Sequence, residues 1–402
     1  MDINTAFSLG IILLAGLLSA KLIRKLKIPA ITAYLLLGIA IGPTLFNLVS
    51  PGILQSSGLI SNIVLSFIAF SLGQNFSMER FRKIGKSILY ISIGEVIGAG
   101  VVVTLCIWLL TDLPFYIALI FGAIAPATAP AAIVMVTREY KAKGTFTDTL
   151  LGVVAIDDAW GIILFAFCLA IAKSMAGAHG LVTDTVFAGI MQAGREIVGA
   201  LILGGVLALI LSKVSKFITN SSDLLIYTLG FILLTAGLAI QFGLSVLLAN
   251  MFLAAVLVNI NKTSFKFFDA LRSVDSPFYL LFFVLAGVNL VINDASFLGV
   301  IGVLGLIYVF SRLPGEMIGA SLGAHAAKAQ DSVKKFIGLG LAPQAGVALG
   351  LALIAKSTFT NEINGISVGS IIFSTIVLTT VFYELVGPIC TKIALKKAGD
   401  IE

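Results

Sequence analysis

The chain is predicted to be an all-α polytopic membrane protein with about thirteen transmembrane helices, and three observations predict it. Apolar residues make up 59% of its 402 residues and charged residues 11%, with a mean hydropathy of +1.09. So few charges cannot cover the surface of a water-soluble chain of this length. Runs of about 18–25 apolar residues recur along nearly the whole chain, each able to cross a bilayer as a helix. Lysine and arginine gather in alternate loops, as the positive-inside rule requires of a multi-pass protein.

The predicted spans are residues 5–22, 30–48, 58–76, 86–110, 114–136, 149–171, 187–211, 223–242, 244–260, 276–293, 296–323, 335–355 and 366–391. The first carries Asp2 ahead of its apolar run and a basic cluster behind it, the reverse of a cleaved signal peptide. The fourth holds one acid, Glu95, and the sixth holds two adjacent ones, Asp157 and Asp158. The eleventh contains Arg312 and Glu316, and the thirteenth Glu384. The fifth and twelfth are interrupted, by Pro126 and Pro130 and by Pro343 and Gly346. Loops between spans are short, so no sizeable soluble domain is expected.

Of the 26 lysines and arginines, 22 lie on one side, from Lys21, Arg24, Lys25 and Lys27 to Lys392, Lys396 and Lys397. The other side holds Lys173, Arg195 and Lys356, and Arg312 lies within a span. The amino terminus is therefore expected outside and the carboxyl terminus in the cytoplasm. The bias accounts for the net charge of +6 with no nucleic-acid partner. Cys106, Cys168 and Cys390 fall in separate apolar segments without CxxC spacing, which argues against disulfides and zinc.

The two interrupted spans lie seven apart. A mid-helix proline removes a backbone hydrogen bond and crowds the preceding turn, so the freed carbonyls and amides need cations, water or side chains. An odd offset makes the two copies cross in opposite directions, as in the inverted repeats of secondary transporters. Gly73-Gln74-Asn75 at the end of the third span and Gly287-Val288-Asn289 at the end of the tenth echo the same offset.

A charge at the bilayer centre costs about 2.5–3.5 kcal/mol on insertion scales, so intramembrane acids mark ion or proton sites by default. At about 1.5 Å per residue, Asp157, Thr128, Glu95, Glu384 and the Pro343 break all fall about 12 Å from the inner face. Arg312 reaches a similar layer, with Glu316 one turn nearer the cytoplasm. An arginine stays protonated, so Arg312 is expected to balance a carboxylate, either an aspartate or Glu316 at i,i+4 spacing. Glu95 and Glu384 are candidates either for function or for buried ion pairs. Thr128, between two prolines, is a candidate ligand, as is the backbone near Ala127; Gln344 and Asn75 are weaker ones. His179 and His325 fall in predicted loops, and His325 on the cytoplasmic side could sense pH.

These residues resemble the monovalent cation/proton antiporter superfamily, most closely its NapA-like and Kef-like bacterial Na+/H+ exchanger branch. The resemblance rests on the run KIPAITAYLLLGIAIGP from Lys27 to Pro43, the break around Ala127, Thr128 and Ala129, the Asp157-Asp158 pair, and the Pro343-Gln344-Ala345-Gly346 break. It implies two crossed discontinuous helices in an NhaA/NapA-like fold. Residues 1–78 and 223–293 would form a dimerisation panel, 86–171 and 296–395 a mobile core, and 187–211 the linker. It also implies a homodimer in the inner membrane that exchanges an alkali cation, sodium first and lithium or potassium next, for protons. Asp158 would be the ion-binding, proton-exchanging carboxylate and Asp157 the partner of Arg312. Relatives with two aspartates commonly carry lysine in place of Arg312, which leaves the proton count per cation open. No resident cofactor is expected, and no Kef-type cytoplasmic nucleotide-binding domain is present in the sequence.

Two other readings are weaker. Sodium-coupled symport of an organic anion would want basic donors, and only Arg312 lies in the layer. An intramembrane aspartyl protease would want two acids facing one another, whereas consecutive helical residues do not, and no Gly-x-Gly-Asp occurs. The chain is therefore not expected to be an enzyme.

Overall fold

In lipid a backbone has no partner but itself, which leaves helices as the economical spanning structure. The computed structural model describes residues 4–24, 30–43, 45–79, 85–177, 182–215, 218, 220–289, 295–363 and 365–401, and within them nearly all regular structure is helical. The first three helices are α1 (Thr5–Arg24), α2 (Ala30–Ile41) and α3 (Pro51–Gly73). The next is α4 (Lys86–Leu110), whose bounds coincide with the predicted fourth span.

The fifth span is two pieces, α5 (Phe115–Ile124) and α6 (Pro130–Glu139). Residues 149–171 were expected as one run, yet a turn at Ala155 and Ile156 separates α7 (Thr145–Val154) from α8 (Asp157–Gly177). The Ile156 amide bonds back only three residues, to the Val153 carbonyl at 2.9 Å, which tightens the helix just before the acids. Then follow α9 (Val182–Val214), α10 (Ser221–Gln241), α11 (Val246–Ile260), α12 (Phe265–Val288) and α13 (Ala295–Ala326). The twelfth span is again two pieces, α14 (Asp331–Gly340) and α15 (Gly346–Thr358), and α16 (Val368–Ala398) ends the chain.

Seven of these helices are long and apolar enough to cross a membrane, and up to nine spans result if each of two bent pairs counts as one. The protein is therefore an all-helical, multi-pass membrane protein with seven to nine full-length apolar spans among the described residues. Residues 32–41, 115–124, 246–260 and 346–358 form shorter apolar helices, two of them halves of the broken spans. One departure from the all-helical expectation is a two-residue antiparallel pair, β1 (Glu362–Ile363) with β2 (Ile366–Ser367). Gly365 closes it at φ +77°, a conformation open to glycine. Outward faces carry Leu14, Ile97, Ile202 and Phe310 in exposed positions, as lipid as solvent allows.

The chain divides into two units. One comprises residues 56–83 and 162–282, with Phe67, Phe70, Leu207, Leu253, Leu257 and Phe267 in its core. The other comprises residues 1–55, 84–161 and 283–402 and holds both broken spans and all five buried acids singled out above.

In this second unit α4 and α13 are joined along a glycine seam. Gly94 and Gly98 face Gly315, Gly319 and Gly323, and a Cβ at Gly319 would overlap the α4 backbone. Small residues every fourth position let membrane helices approach backbone to backbone. On one side of the breaks, Ile91, Ile133, Phe146, Leu150, Ala320, Ile337 and Leu395 form a common apolar core for α4, α6, α7, α13, α14 and α16. The final turn is also fastened. Asp400 Oδ2 accepts the Thr147 amide at 2.8 Å and its hydroxyl at 2.7 Å, at the start of α7.

Candidate ion-binding site

The two breaks expose their backbones to one another. Between α5 and α6 the chain leaves the helix from Ala125 to Ala129, and Pro130 restarts it at a first-turn position where its missing N–H costs nothing. Between α14 and α15 residues 341–345 do the same, and Gly346 opens the next helix. The Ala129 amide donates to the Pro343 carbonyl at 2.8 Å, and Ala129, Ala132 and Ala345 pack together there.

Freed carbonyls inside a membrane protein must find donors, and Arg312 supplies them. Its Nε donates to the Ala125 carbonyl at 2.7 Å, Nη1 to Ala342 at 2.8 Å and Nη2 to Ala127 at 3.2 Å. Its guanidinium lies 4.5 Å from the Tyr383 ring centre. Nη2 also forms a 2.5 Å ion pair with Glu316. A planar fork of five donors suits this arrangement as an ammonium could not.

One expectation is corrected here. Of the two partners open to Arg312, it pairs with Glu316, its i,i+4 neighbour, and no ion pair joins it to Asp157 as the resemblance implied. The Ala127 carbonyl accepts from the same guanidinium and keeps a second lone pair. Gln344 braces the breaks too, its Nε2 donating to the Tyr308 hydroxyl at 3.0 Å and to the Ala125 carbonyl at 3.4 Å.

Asp157 and Asp158 open α8, where the N-terminal end of the helix dipole favours negative charge. Both oxygens of Asp157 are occupied: Oδ2 accepts the Thr128 hydroxyl at 2.8 Å and Oδ1 the Asp158 amide at 2.7 Å. Asp158 is different. Its Oδ1 is buried with no hydrogen-bond partner, and the Thr128 backbone amide faces its carboxylate. Glu95 is fully buried with neither oxygen hydrogen-bonded, within electrostatic reach of Glu316, Asp157, Arg312 and Asp158.

The structure thus brings together Asp157, Asp158, Thr128, Glu95, Arg312, Glu316 and Gln344. Glu384 stands apart, facing the hydroxyl and the backbone amide of Thr32. Neither Glu95 nor Glu384 makes a buried ion pair. The side chain of Asn75 and all of His179 lie outside the described residues, and His325 sits in the last turn of α13, not in a loop. Cys106, Cys168 and Cys390 are free. Among the described residues no three or more His, Cys, Asp or Glu side chains are grouped to hold a metal ion. Asp158 and Thr128 offer oxygen donors only, the type that suits hard cations.

Sequence reasoning missed Tyr308, Tyr383, Thr32 and the glycine seam. The seam was legible in the Gly94/Gly98 and Gly315/Gly319/Gly323 spacing. The tyrosines and Thr32 carried no local signal, since each acts only through a partner distant in sequence.

The chain is similar to known proteins over nearly its whole length. The ammonium/H+ antiporter subunit AmhT of Alkalihalophilus pseudofirmus is 26% identical over 92% of this chain and 88% of its own length. A Na+/H+ antiporter of Enterococcus hirae is 22% identical over 97% of each. The fold is that of the sodium proton antiporter MjNhaP1 of Methanocaldococcus jannaschii, with a TM-score of 0.75, 21% identity, and coverage of 97% of this chain and 98% of that one. Residues 9–397 match the transmembrane sodium/hydrogen exchanger family. The chain thus belongs to the sodium/hydrogen exchanger family, a family of cation/proton antiporters and not of enzymes.

Proposed function

We propose that the protein exchanges a monovalent cation for protons by alternating access, with Asp158 as the carboxylate that binds either one. The observation that carries this reading is the unpartnered, buried Asp158 Oδ1 beside Thr128 and the broken backbones. A carboxylate in such a place binds a proton more tightly as it is desolvated and less tightly as a cation approaches, so the two compete for it. Asp157 holds Thr128 and the Asp158 amide in place. Arg312 donates to one or two carbonyls of each break and neutralises Glu316, which leaves the exchangeable charge on the aspartate side. No resident cofactor is needed. Sodium is the first cargo, and lithium, potassium and ammonium complete the set, ammonium because of the AmhT relative.

The same reading includes thirteen crossings with two inverted halves, the amino terminus outside and the carboxyl terminus in the cytoplasm. It also includes a homodimer in the inner membrane, joined through the panel segments 1–78 and 223–293. Core segments 86–171 and 296–395 would move against that panel. Organic-anion symport is disfavoured because the Arg312 guanidinium is already engaged by three carbonyls and Glu316.

In proteoliposomes, Asp158→Asn should abolish proton movement driven by each of the four cations while leaving the protein folded. Cation-driven proton flux that survives this substitution would refute the assignment.

A further inference from the structure

The unit formed by residues 56–83 and 162–282 carries a cavity of about 590 Å³ outside the ion site. Its walls come from α8, α9, α11 and the segment that follows α3, and twelve of its thirteen lining residues are apolar. Asn259 is the exception, and its side-chain amide is already engaged. Its Oδ1 accepts the Met78 amide at 2.8 Å, and its Nδ2 donates to the Phe76 and Ala255 carbonyls at 2.9 and 2.6 Å. The cavity therefore suits hydrocarbon and not a polar solute.

Its shape follows from two helices that run side by side in one direction. A Cβ at Gly199 would meet Leu244 and one at Gly204 the Ala249 carbonyl, while Asn261 Nδ2 donates to the Ser212 hydroxyl at 3.2 Å. The cavity is elongated along α11, from Leu248 with Ile197 and Leu201 at one end to Ile260 with Phe76 and Met78 at the other. Twelve residues of helix rise about 18 Å, close to the roughly 15 Å of hydrocarbon in one leaflet of a bilayer. The floor is buried at Leu248 and Met251, whereas Met78, Phe167 and Ile260 on the rim are 62, 46 and 45% exposed. It is thus an apolar groove one leaflet long, open to the surroundings of the protein, which for its outward apolar faces are lipid.

One end of the groove is basic. Lys213 in the last turn of α9 and Lys262, two residues beyond Ile260, are exposed there, and Lys266 follows one turn later. Against them stand Glu79, next to Met78, and Asp269, which is paired with Arg272 at 3.2 Å. A lipid tail gains little by exchanging other tails for apolar side chains, since both are equally apolar. The groove therefore supplies fit and the lysines supply selection, by attraction of an anionic headgroup. We propose that the groove holds one acyl chain of an anionic phospholipid, with the headgroup phosphate at Lys213 and Lys262. Ile163 and Phe167 form one wall, so the lipid lies against α8, the helix that opens with Asp157 and Asp158. The lipid site stands whether or not the chain exchanges cations.

The test titrates the full chain, delipidated in detergent, with dioleoyl phosphatidylglycerol or dioleoyl phosphatidylcholine and counts bound lipids by native mass spectrometry. The tightest binding event should be one phosphatidylglycerol. Lys213→Gln and Lys262→Gln should each weaken it about fivefold and leave phosphatidylcholine unchanged, the effect of one basic residue near a headgroup. Lys396→Gln, in a basic cluster of the other unit, should change nothing. Ala255→Phe, which puts a ring into the groove, should remove the tight site for both lipids, and Leu201→Trp should do so from the opposite wall.

Equal affinity for the two lipids, or tight binding that survives in a folded groove-filled variant, overturns the site. If both groove-filled variants fail to fold, the surface variants decide: a preference for phosphatidylglycerol that persists in the double variant Lys213→Gln, Lys262→Gln overturns it. A second copy of the chain is the competing occupant. Phe167→Cys, with Cys106, Cys168 and Cys390 replaced by serine, should stay monomeric on oxidation in membranes. A disulfide-linked dimer at this rim position would seat another protomer on the groove and overturn the lipid assignment.

Discussion

Arg312 shows how one residue can serve several roles that the sequence suggests separately. Its position within a span marks it as the counter-charge of a buried acid, and Glu316 one turn on is the simplest partner. What the sequence does not disclose is the larger part of its work, because three of its acceptors are backbone carbonyls on two segments distant in the chain. Removing it would leave the Ala127 and Ala342 carbonyls and a buried carboxylate without their donor, and the Ala125 carbonyl with Gln344 alone. Arg312→Ala is therefore expected to cost about 3–5 kcal/mol, the range for breaking a buried pair. Arg312→Lys should fall between wild type and alanine, since an ammonium keeps the charge without the planar fork. Thermal unfolding in detergent checks both, and an alanine variant as stable as wild type would contradict the bracing role. Asp157, Asp158 and Thr128 were readable as a group because acids within an apolar run and a hydroxyl between two prolines stand out locally. The partner of Glu384 was not, since Thr32 looks like any other threonine in an apolar helix.

The elements were the most legible level. Apolar run length and proline position are local properties, and both interrupted helices lie where Pro126, Pro130, Pro343 and Gly346 indicated. The extra turn at Ala155 and Ile156 had no such marker, because neither residue disfavours a helix strongly. The α4–α13 seam is the element-level feature with the clearest energetic consequence. A methyl at Gly319 meets backbone on α4, not a flexible side-chain tip. Gly319→Ala is expected to destabilise the protein by roughly 1–3 kcal/mol as an overpacked interface, and Gly319→Leu to prevent accumulation of folded protein. Heating followed by size-exclusion chromatography reads the difference, and an alanine variant with unchanged heat resistance would mean that the helices separate more easily than their packing indicates.

On the scale of the whole molecule, the charge bias across alternate loops makes the orientation testable. With native cysteines replaced, Lys141→Cys should react with a membrane-impermeant maleimide only in inside-out vesicles, and Glu362→Cys only in intact cells. Labelling of the Lys141 position in intact cells would reverse the topology. Whole-molecule properties were the least legible in the sequence, because the meeting of the two breaks depends on chain pairings hundreds of residues apart. The Asp400 clasp is of this kind. Its carboxylate caps α7, and α7 runs through a short turn into Asp157 and Asp158. The end of the chain is thereby mechanically in series with the acid pair, so a force or a binding event at Asp400 would be felt at Asp157 and Asp158 through α7 and the turn that follows it.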